Sequence, residues 1–195
     1  DESSKEALKR ALAMGADEAL LISDPALVHM DTQATAQVLA AAIQKTGGVD
    51  MAFFGRQAID GDAGLVPAQT ARLLGWPALT LASVIKIEAG NIRVERGIEE
   101  GRQILTAKLP AVFSLTKDFG EPRYPSFMGI RKASRAEIPS WSLLELGISA
   151  PVSVISWPEI ITPPSREVTC EFITGVSPEE MAEKLADKIL AEKVL

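Results

Sequence analysis

The residues of this chain whose types and spacing suit chemistry lie between Gly55 and Gly64. The stretch Gly55-Arg56-Gln57-Ala58-Ile59-Asp60-Gly61-Asp62-Ala63-Gly64 separates an apolar run, Met51-Ala52-Phe53-Phe54, from a helical pattern over residues 65–74. In open α/β sheets, ligands sit beyond the carboxyl ends of the strands, which is where this loop falls. Gly61 and Gly64 permit tight turns. The N–H groups of Gly64, Leu65 and Val66 come just before Pro67, which has none to give, and free donors at a helix N-terminus suit a phosphate. Asp60 and Asp62 would repel a phosphate. They read more easily as a cap and a turn former, or as acceptors for ribose hydroxyls. Neither G-x-G-x-x-G nor a Walker lysine is present. Two readings therefore stand side by side: a nucleotide-binding turn and a plain structural βα turn.

Other reactive groups are scarce. The 195 residues include one cysteine, Cys170, and one histidine, His29. That excludes an internal disulfide and a Cys/His zinc site contained within the chain. Without a G-x-S-x-G elbow, Ser-His-Asp or Cys-His catalysis is not expected. His29 reads as an exposed linker residue, and Cys170, beside Phe172, as a small buried or arm residue rather than a redox thiol. The net charge of −6 gives no bulk attraction to nucleic acid or anionic membrane. The longest apolar runs, such as residues 38–43, are far below the ~20 residues of a membrane span. No signal peptide is read at the start. The expectation is a soluble protein of the cell interior.

Stepping outward, the elements that must position the loop follow a regular beat. A helix capped by Ser3 or Ser4 runs to Met14 and stops at Gly15. Residues 19–23 read as a buried strand before Asp24-Pro25. Asp31 or Thr32 caps a second helix with Ala34, Val38, Ala41 and Ala42 on one side, ended by Gly47-Gly48. Then come the strand at 51–54, the loop, and the helix at 65–74 with Pro67 in its first turn. This order predicts α/β architecture with a parallel sheet wrapped by helices. Residues 79–87, 91–96 and 103–108 read as strands joined by two antiparallel connections, and 110–115 as one more buried strand. Residues 117–138 carry Gly120, Pro122, Pro125 and Gly129 and read as a long, functional surface loop. Residues 143–146 suggest one helical turn. A proline-rich stretch follows Pro151, and a last helix starts at Ser177-Pro178 with the stripe Met181, Leu185 and Ile189. That helix either embraces a partner or packs on its own domain.

Three motifs together resemble one family: Ala11-Leu12-Ala13-Met14-Gly15-Ala16-Asp17, Gly55-Arg56-Gln57-Ala58-Ile59-Asp60-Gly61-Asp62, and Glu121-Pro122-Arg123-Tyr124-Pro125 with Gly129-Ile130. In this order and at these separations they are similar to the β subunit of electron-transfer flavoprotein; Trp76-Pro77 and Val94-Glu95-Arg96 agree. The resemblance implies a Rossmann-like, mostly parallel sheet with helices on both faces, an antiparallel hairpin extension and a C-terminal arm. It implies a domain over residues 1–150, including a recognition loop at 115–137, and an arm over 151–195 that reaches around an α subunit. Relative to the family the opening strand region is missing, so the chain is expected to start inside a longer protein.

The resemblance also implies a role: an electron carrier, not an enzyme in itself. Its α subunit holds FAD and takes electrons from acyl-CoA or related dehydrogenases, as in fatty acid oxidation. They pass on to a quinone reductase or another acceptor, in a bacterial or archaeal cytoplasm or the mitochondrial matrix. AMP, or a second FAD in bifurcating relatives that oxidise NADH, would bind Gly55, Gln57, Ala58, Asp60, Gly61, Asp62, Gly64, Leu65 and Val66. Gly55 to Asp62 looks closer to the bifurcating type, although Ala63-Gly64-Leu65-Val66 replaces the usual polar residues. Glu121, Pro122, Arg123, Tyr124, Phe127 and Met128 would contact partners, with Phe127 as the anchor. Residues 117–137 carry five basic and three acidic residues, a positive patch in an acidic chain. Arg96 is an interface ion-pair candidate, and Gly97 stands where many members carry a bridging acid. Trp141 and Trp157 read as docking aromatics for the tail. A stand-alone nucleotide-binding hydrolase or sensor on the same fold is the rival.

Overall fold

The structure, a computed structural model, describes residues 2–28, 30–88, 90–156, 159, 161–165 and 170–192. His29 and Trp157 lie outside the described residues. In chain order the elements are α1 (Glu2–Ala13), β1 (Leu21–Ile22), α2 (Thr32–Thr46), β2 (Met51–Gly55), α3 (Val66–Leu74), β3 (Ala78–Glu88), β4 (Asn91–Ile98), β5 (Gly101–Lys108), β6 (Ala111–Leu115), α4 (Phe127–Ser134), β7 (Ser140–Trp141), α5 (Leu143–Leu146) and α6 (Pro178–Ala191). The chain divides into two compact units, residues 1–156 and 157–195.

The first unit is α/β, with helices on both sides of a mixed five-stranded sheet in the order β2-β6-β3-β4-β5. β2, β6 and β3 run parallel, and β3, β4 and β5 form an antiparallel meander. The apolar run of β6, buried along nearly its whole length, suits a strand covered on both faces, while Phe53 of β2 stays half exposed. Ala52 and Val112 pack with Ala71 of α3. Ala111 and Phe113 join Leu79, Ala82, Ile92 and Val94 in a second cluster. β3 serves both halves of the sheet by bending where its register shifts, between Leu79 and Val84. Leu81 there has φ 60°, a rare conformation for a bulky residue. Its N–H donates to the buried Ser114 Oγ at 2.9 Å.

Three expectations are corrected. Helix α1 begins at Glu2, so Ser3 and Ser4 lie within its first turn rather than ahead of it. The strand expected over 19–23 shrinks to Leu21–Ile22 and pairs with β7 in a separate two-stranded parallel sheet. Asp24 helps hold it there: Oδ1 accepts from Ala26 N–H (3.0 Å) and Oδ2 from Leu143 N–H (3.2 Å). The long loop at 117–138 contains a 3₁₀ turn at Lys117–Phe119 and the two-turn helix α4. Ser126 starts α4 by accepting from Gly129 N–H at 2.9 Å, and Ala133 on its inner side is buried.

Asp31 confirms the expected cap of α2 and does more. Its Oδ1 accepts from Ala34 N–H at 2.8 Å, while Oδ2 accepts from Val154 N–H (2.6 Å) and Ile155 N–H (3.0 Å). Its own N–H donates to Ser153 Oγ at 3.0 Å. The end of the first unit is thus clamped to the start of α2. Donation from Ala34 N–H first, then from Ile155, Val154 and Gln33, holds the Asp31 carboxyl below its ordinary 3.8 against the opposing effect of burial. A lowered carboxyl pKa gives stability in full force above 3.8 and lost as pH falls through the folded value. In Asp31→Asn one acceptor survives for Ala34, but an amide NH₂ turns toward two other donors. Hydrogen exchange at Val154 and Ile155 is expected to speed up roughly tenfold or more at neutral pH, with α2 still protected. Wild type should show the same loosening only as pH falls below 3.8 through the lowered folded value, where the carboxyl protonates.

The second unit contains α6, capped by Ser177 Oγ accepting from Glu180 N–H at 3.3 Å. Glu180 also accepts from Val176 N–H (2.8 Å) and pairs with Lys184 (2.7 Å). Lys188 pairs with Glu171. None of the helix's residues is buried, and Leu185 and Leu190 are exposed. Cys170 is exposed, which corrects its reading as buried and leaves it as an arm residue.

Candidate functional site

β2 delivers the chain at Gly55, and the next ten residues stay on the surface before α3 begins. Asp62 N–H donates to Ala58 C=O at 3.0 Å and closes the turn that carries Asp60 and Gly61. Gly61 N–H donates to Asp60 Oδ1 at 2.7 Å, and Gln57 Nε2 donates to Asp62 Oδ1. Both carboxylates therefore serve the loop's own shape. Asp62 (φ 47°) and Gly64 (φ 63°) take left-handed backbone, which turns the chain into the helix. A Cβ at Gly64 would lie 3.6 Å from both Arg56 C=O and Gln57 Oε1, so the loop folds back closely on its own beginning.

No side chain caps α3: Leu65 stands at its N-cap position and has no cap hydrogen bond to offer, and Pro67 follows within the first turn. The backbone donors of that turn carry the positive end of the helix dipole and are open to an anion. The described residues fit the phosphate end of a nucleotide by this chemistry. Replacing Gly64 by valine would force a β-branched residue into left-handed backbone. Nucleotide recovered with the purified protein is expected to fall several-fold in Gly64→Val, with the far-ultraviolet spectrum unchanged.

The nine residues named for the nucleotide thus share one continuous loop and helix start. Those named for partners do not all meet. Glu121, Pro122, Arg123, Tyr124, Phe127 and Met128 lie on the approach to α4 and its first turn, all exposed, with Tyr124 at 95%, Phe127 at 80% and Met128 at 69%. Arg96 belongs to β4. Its guanidinium donates to Gln103 Oε1 (2.8 Å) and Thr80 Oγ1 (3.1 Å) within the sheet. The neighbouring Glu95 pairs with Arg93 at 2.8 Å. Trp141 lies under Lys45 Nζ, 4.8 Å from the ring centroid, and packs with the α2–α5 cluster.

Sequence reading missed what holds Phe127. Gly129 of α4 abuts the end of α1 so closely that a Cβ there would sit 2.4 Å from Ala13 C=O. Arg123 lies against Gly15, where a Cβ would be 3.5 Å from its Nη2. The motif around residues 11–17 and the one around 121–130 are therefore one structural unit. The signal was present in Ser126 three residues before Gly129 and in the spacing of Phe127, Ile130 and Ala133. A cleft of about 450 Å³ also opens where β2 and β6 end beside the bend in β3, lined by Arg56, Ser83, Glu95, Arg102, Thr116 and Asp118 among others. Among the described residues there is no group of side chains fit to hold a metal ion, and no helix long and apolar enough to cross a membrane.

Comparison with known proteins places this arrangement. The family model for the electron transfer flavoprotein domain matches residues 1–146. The caffeyl-CoA reductase-Etf complex subunit CarD of Acetobacterium woodii is 36% identical, over 98% of this chain and 75% of its own length. The electron transfer flavoprotein subunit beta of Megasphaera elsdenii is 34% identical, over the whole chain and 76% of its own. The subunit beta of Mycobacterium leprae is 40% identical, over 75% of this chain and 55% of its own. With the α/β fold, the anchored α4 and the β2–α3 loop in place, the chain belongs to the β-subunit family of electron transfer flavoproteins.

Proposed function

We propose that this chain pairs with an FAD-bearing α subunit and passes electrons from an acyl-CoA or related dehydrogenase to a quinone reductase or another acceptor. The observation that carries this reading is the exposed pair Phe127-Met128 on a helix locked to α1 through Gly129. A large apolar anchor held rigid and open to solvent suits transient docking. The scarcity of acid–base and thiol groups agrees with a carrier, because FAD, when bound, takes up and releases the electrons. The chain's own residues would hold a nucleotide phosphate at the start of α3, through the N–H groups of Leu65 and Val66, and dock the partner through α4. Residues 151–195 would extend the subunit as an arm toward the α subunit.

The bound nucleotide is read as AMP or a second FAD. The second FAD, and with it an electron-bifurcating complex that oxidises NADH, gains weight from Gly55 to Asp62 and from the likeness to a caffeyl-CoA reductase-Etf complex subunit. Denaturing the purified α/β complex and counting released nucleotides decides between them. One FAD with one AMP supports the simple carrier, and two FAD per heterodimer supports bifurcation. A complex that binds FAD yet accepts electrons from no acyl-CoA or related dehydrogenase overturns the carrier reading.

A further inference from the structure

A cavity of about 530 Å³ lies between α1 and α4, away from the β2–α3 loop. Its depth comes from small residues: Ala13 and Ala133, both buried, line it where Gly129 brings the two helices together. Ile130, half exposed, and Pro125 form one wall, and Ala7 with the stems of Lys9 and Arg10 forms the other. α4, which forms one side of the groove, also carries Phe127 and Met128, so the exposed anchor and the groove belong to one surface.

Charge selects the occupant. Together α1, α4 and the C-cap residue Arg135 carry six basic residues and two acidic ones, against −6 for the whole chain. One of the acids, Glu6, is paired with Lys9 at 3.3 Å. Arg10, Arg131, Lys132 and Arg135 are exposed. An apolar groove under a basic rim fits an apolar side chain presented on an acidic segment. We propose that the α1–α4 groove is the second half of the docking surface and receives an acidic segment of the partner dehydrogenase while Phe127 enters the partner. This inference rests on the reading of α4 as the docking helix.

The test uses the assembled α/β complex and the purified acyl-CoA dehydrogenase that reduces it. Two variants address the groove: Arg10→Glu reverses the rim charge, and Ala7→Tyr fills the space from an exposed helix position. Each is expected to raise the KM for the complex as electron acceptor roughly tenfold while leaving kcat and flavin content unchanged. Arg10→Glu should also flatten the dependence of the rate on ionic strength, and Arg10→Lys should restore it. If Phe127→Ala weakens transfer but Arg10→Glu and Ala7→Tyr behave as wild type, the groove proposal falls and the docking helix stands. If Phe127→Ala is silent as well, the docking reading itself fails. Loss of α/β assembly in the groove variants would assign the groove to the subunit interface and overturn the proposal. So would hydrogen exchange showing the groove covered by residues 157–195 of the free complex.

Discussion

Phe127→Ala is expected to lower electron transfer from the partner dehydrogenase by about thirtyfold, with nucleotide and flavin content intact. The size follows from the site. Phe127 is 80% exposed, so the free protein gains little from it and its removal leaves no cavity. A buried aromatic anchor in a protein interface is commonly worth about 2 kcal/mol, which is about thirtyfold in affinity. The loss should appear in KM or in the second-order rate constant and should vanish at saturating complex, because Phe127 lies at the start of α4, an element separate from the β2–α3 loop. Phe127→Leu should keep most of the effect of the ring, since what matters is apolar bulk at the start of α4. Stopped-flow reduction of the complex by the dehydrogenase, over a range of concentrations, reads both quantities. An unchanged rate constant in the alanine variant would remove Phe127 from the interface.

Gly129→Ala is expected to be the most disruptive single methyl in the first unit. In an ordinary two-turn helix, glycine to alanine would stabilise by up to about 1 kcal/mol through helix propensity. Here the added Cβ would lie 2.4 Å from Ala13 C=O and 3.2 Å from Ala13 C, and neither backbone atom can swing aside like a flexible side chain. The helices must separate, which exposes the buried Ala13 and Ala133 between them. Overpacking of this kind typically costs ~1–3 kcal/mol, so the net sign is destabilising. The consequence for function is separate from stability: α4 moves, and with it the direction in which Phe127 points. A melting temperature lowered by several degrees, together with a fall in transfer rate close to that of Phe127→Ala, is the expected pair of results. An unaltered melting temperature would show that the helices part freely.

How much of this was legible beforehand varies along the chain, for physical reasons. The α2–β2–loop–α3 passage was readable because Asp31, Gly47, Gly55 and Gly75 punctuate it and its apolar runs are long enough to reveal their period. The meander of β3, β4 and β5 was readable because turn residues at 89–91 and 97–101 separate three strand-like runs, each eight residues or longer. β1 was over-read, because a short apolar run says that something is buried but not which sheet it joins. α4 was under-read, because Pro122, Pro125 and Gly129 signal a break locally. The fact that makes Gly129 favourable is a contact with Ala13, 116 positions away in the chain. Tertiary approach of this kind has no period to detect. The β2–α3 loop was legible as a location, and its uncapped helix start follows from Leu65 and Pro67. The nucleotide proposed for it was not, because the loop residues alone do not distinguish AMP from FAD.

The clamp at Asp31 also sets what a substitution there must preserve. A residue chosen only as a helix cap would not be interchangeable with it: serine or asparagine could keep the bond from Ala34 N–H at the start of α2, but only a carboxylate offers a second acceptor oxygen to Val154 and Ile155. Asp31 thus ties the choice of residue at one helix start to the course of the backbone at the end of the first unit.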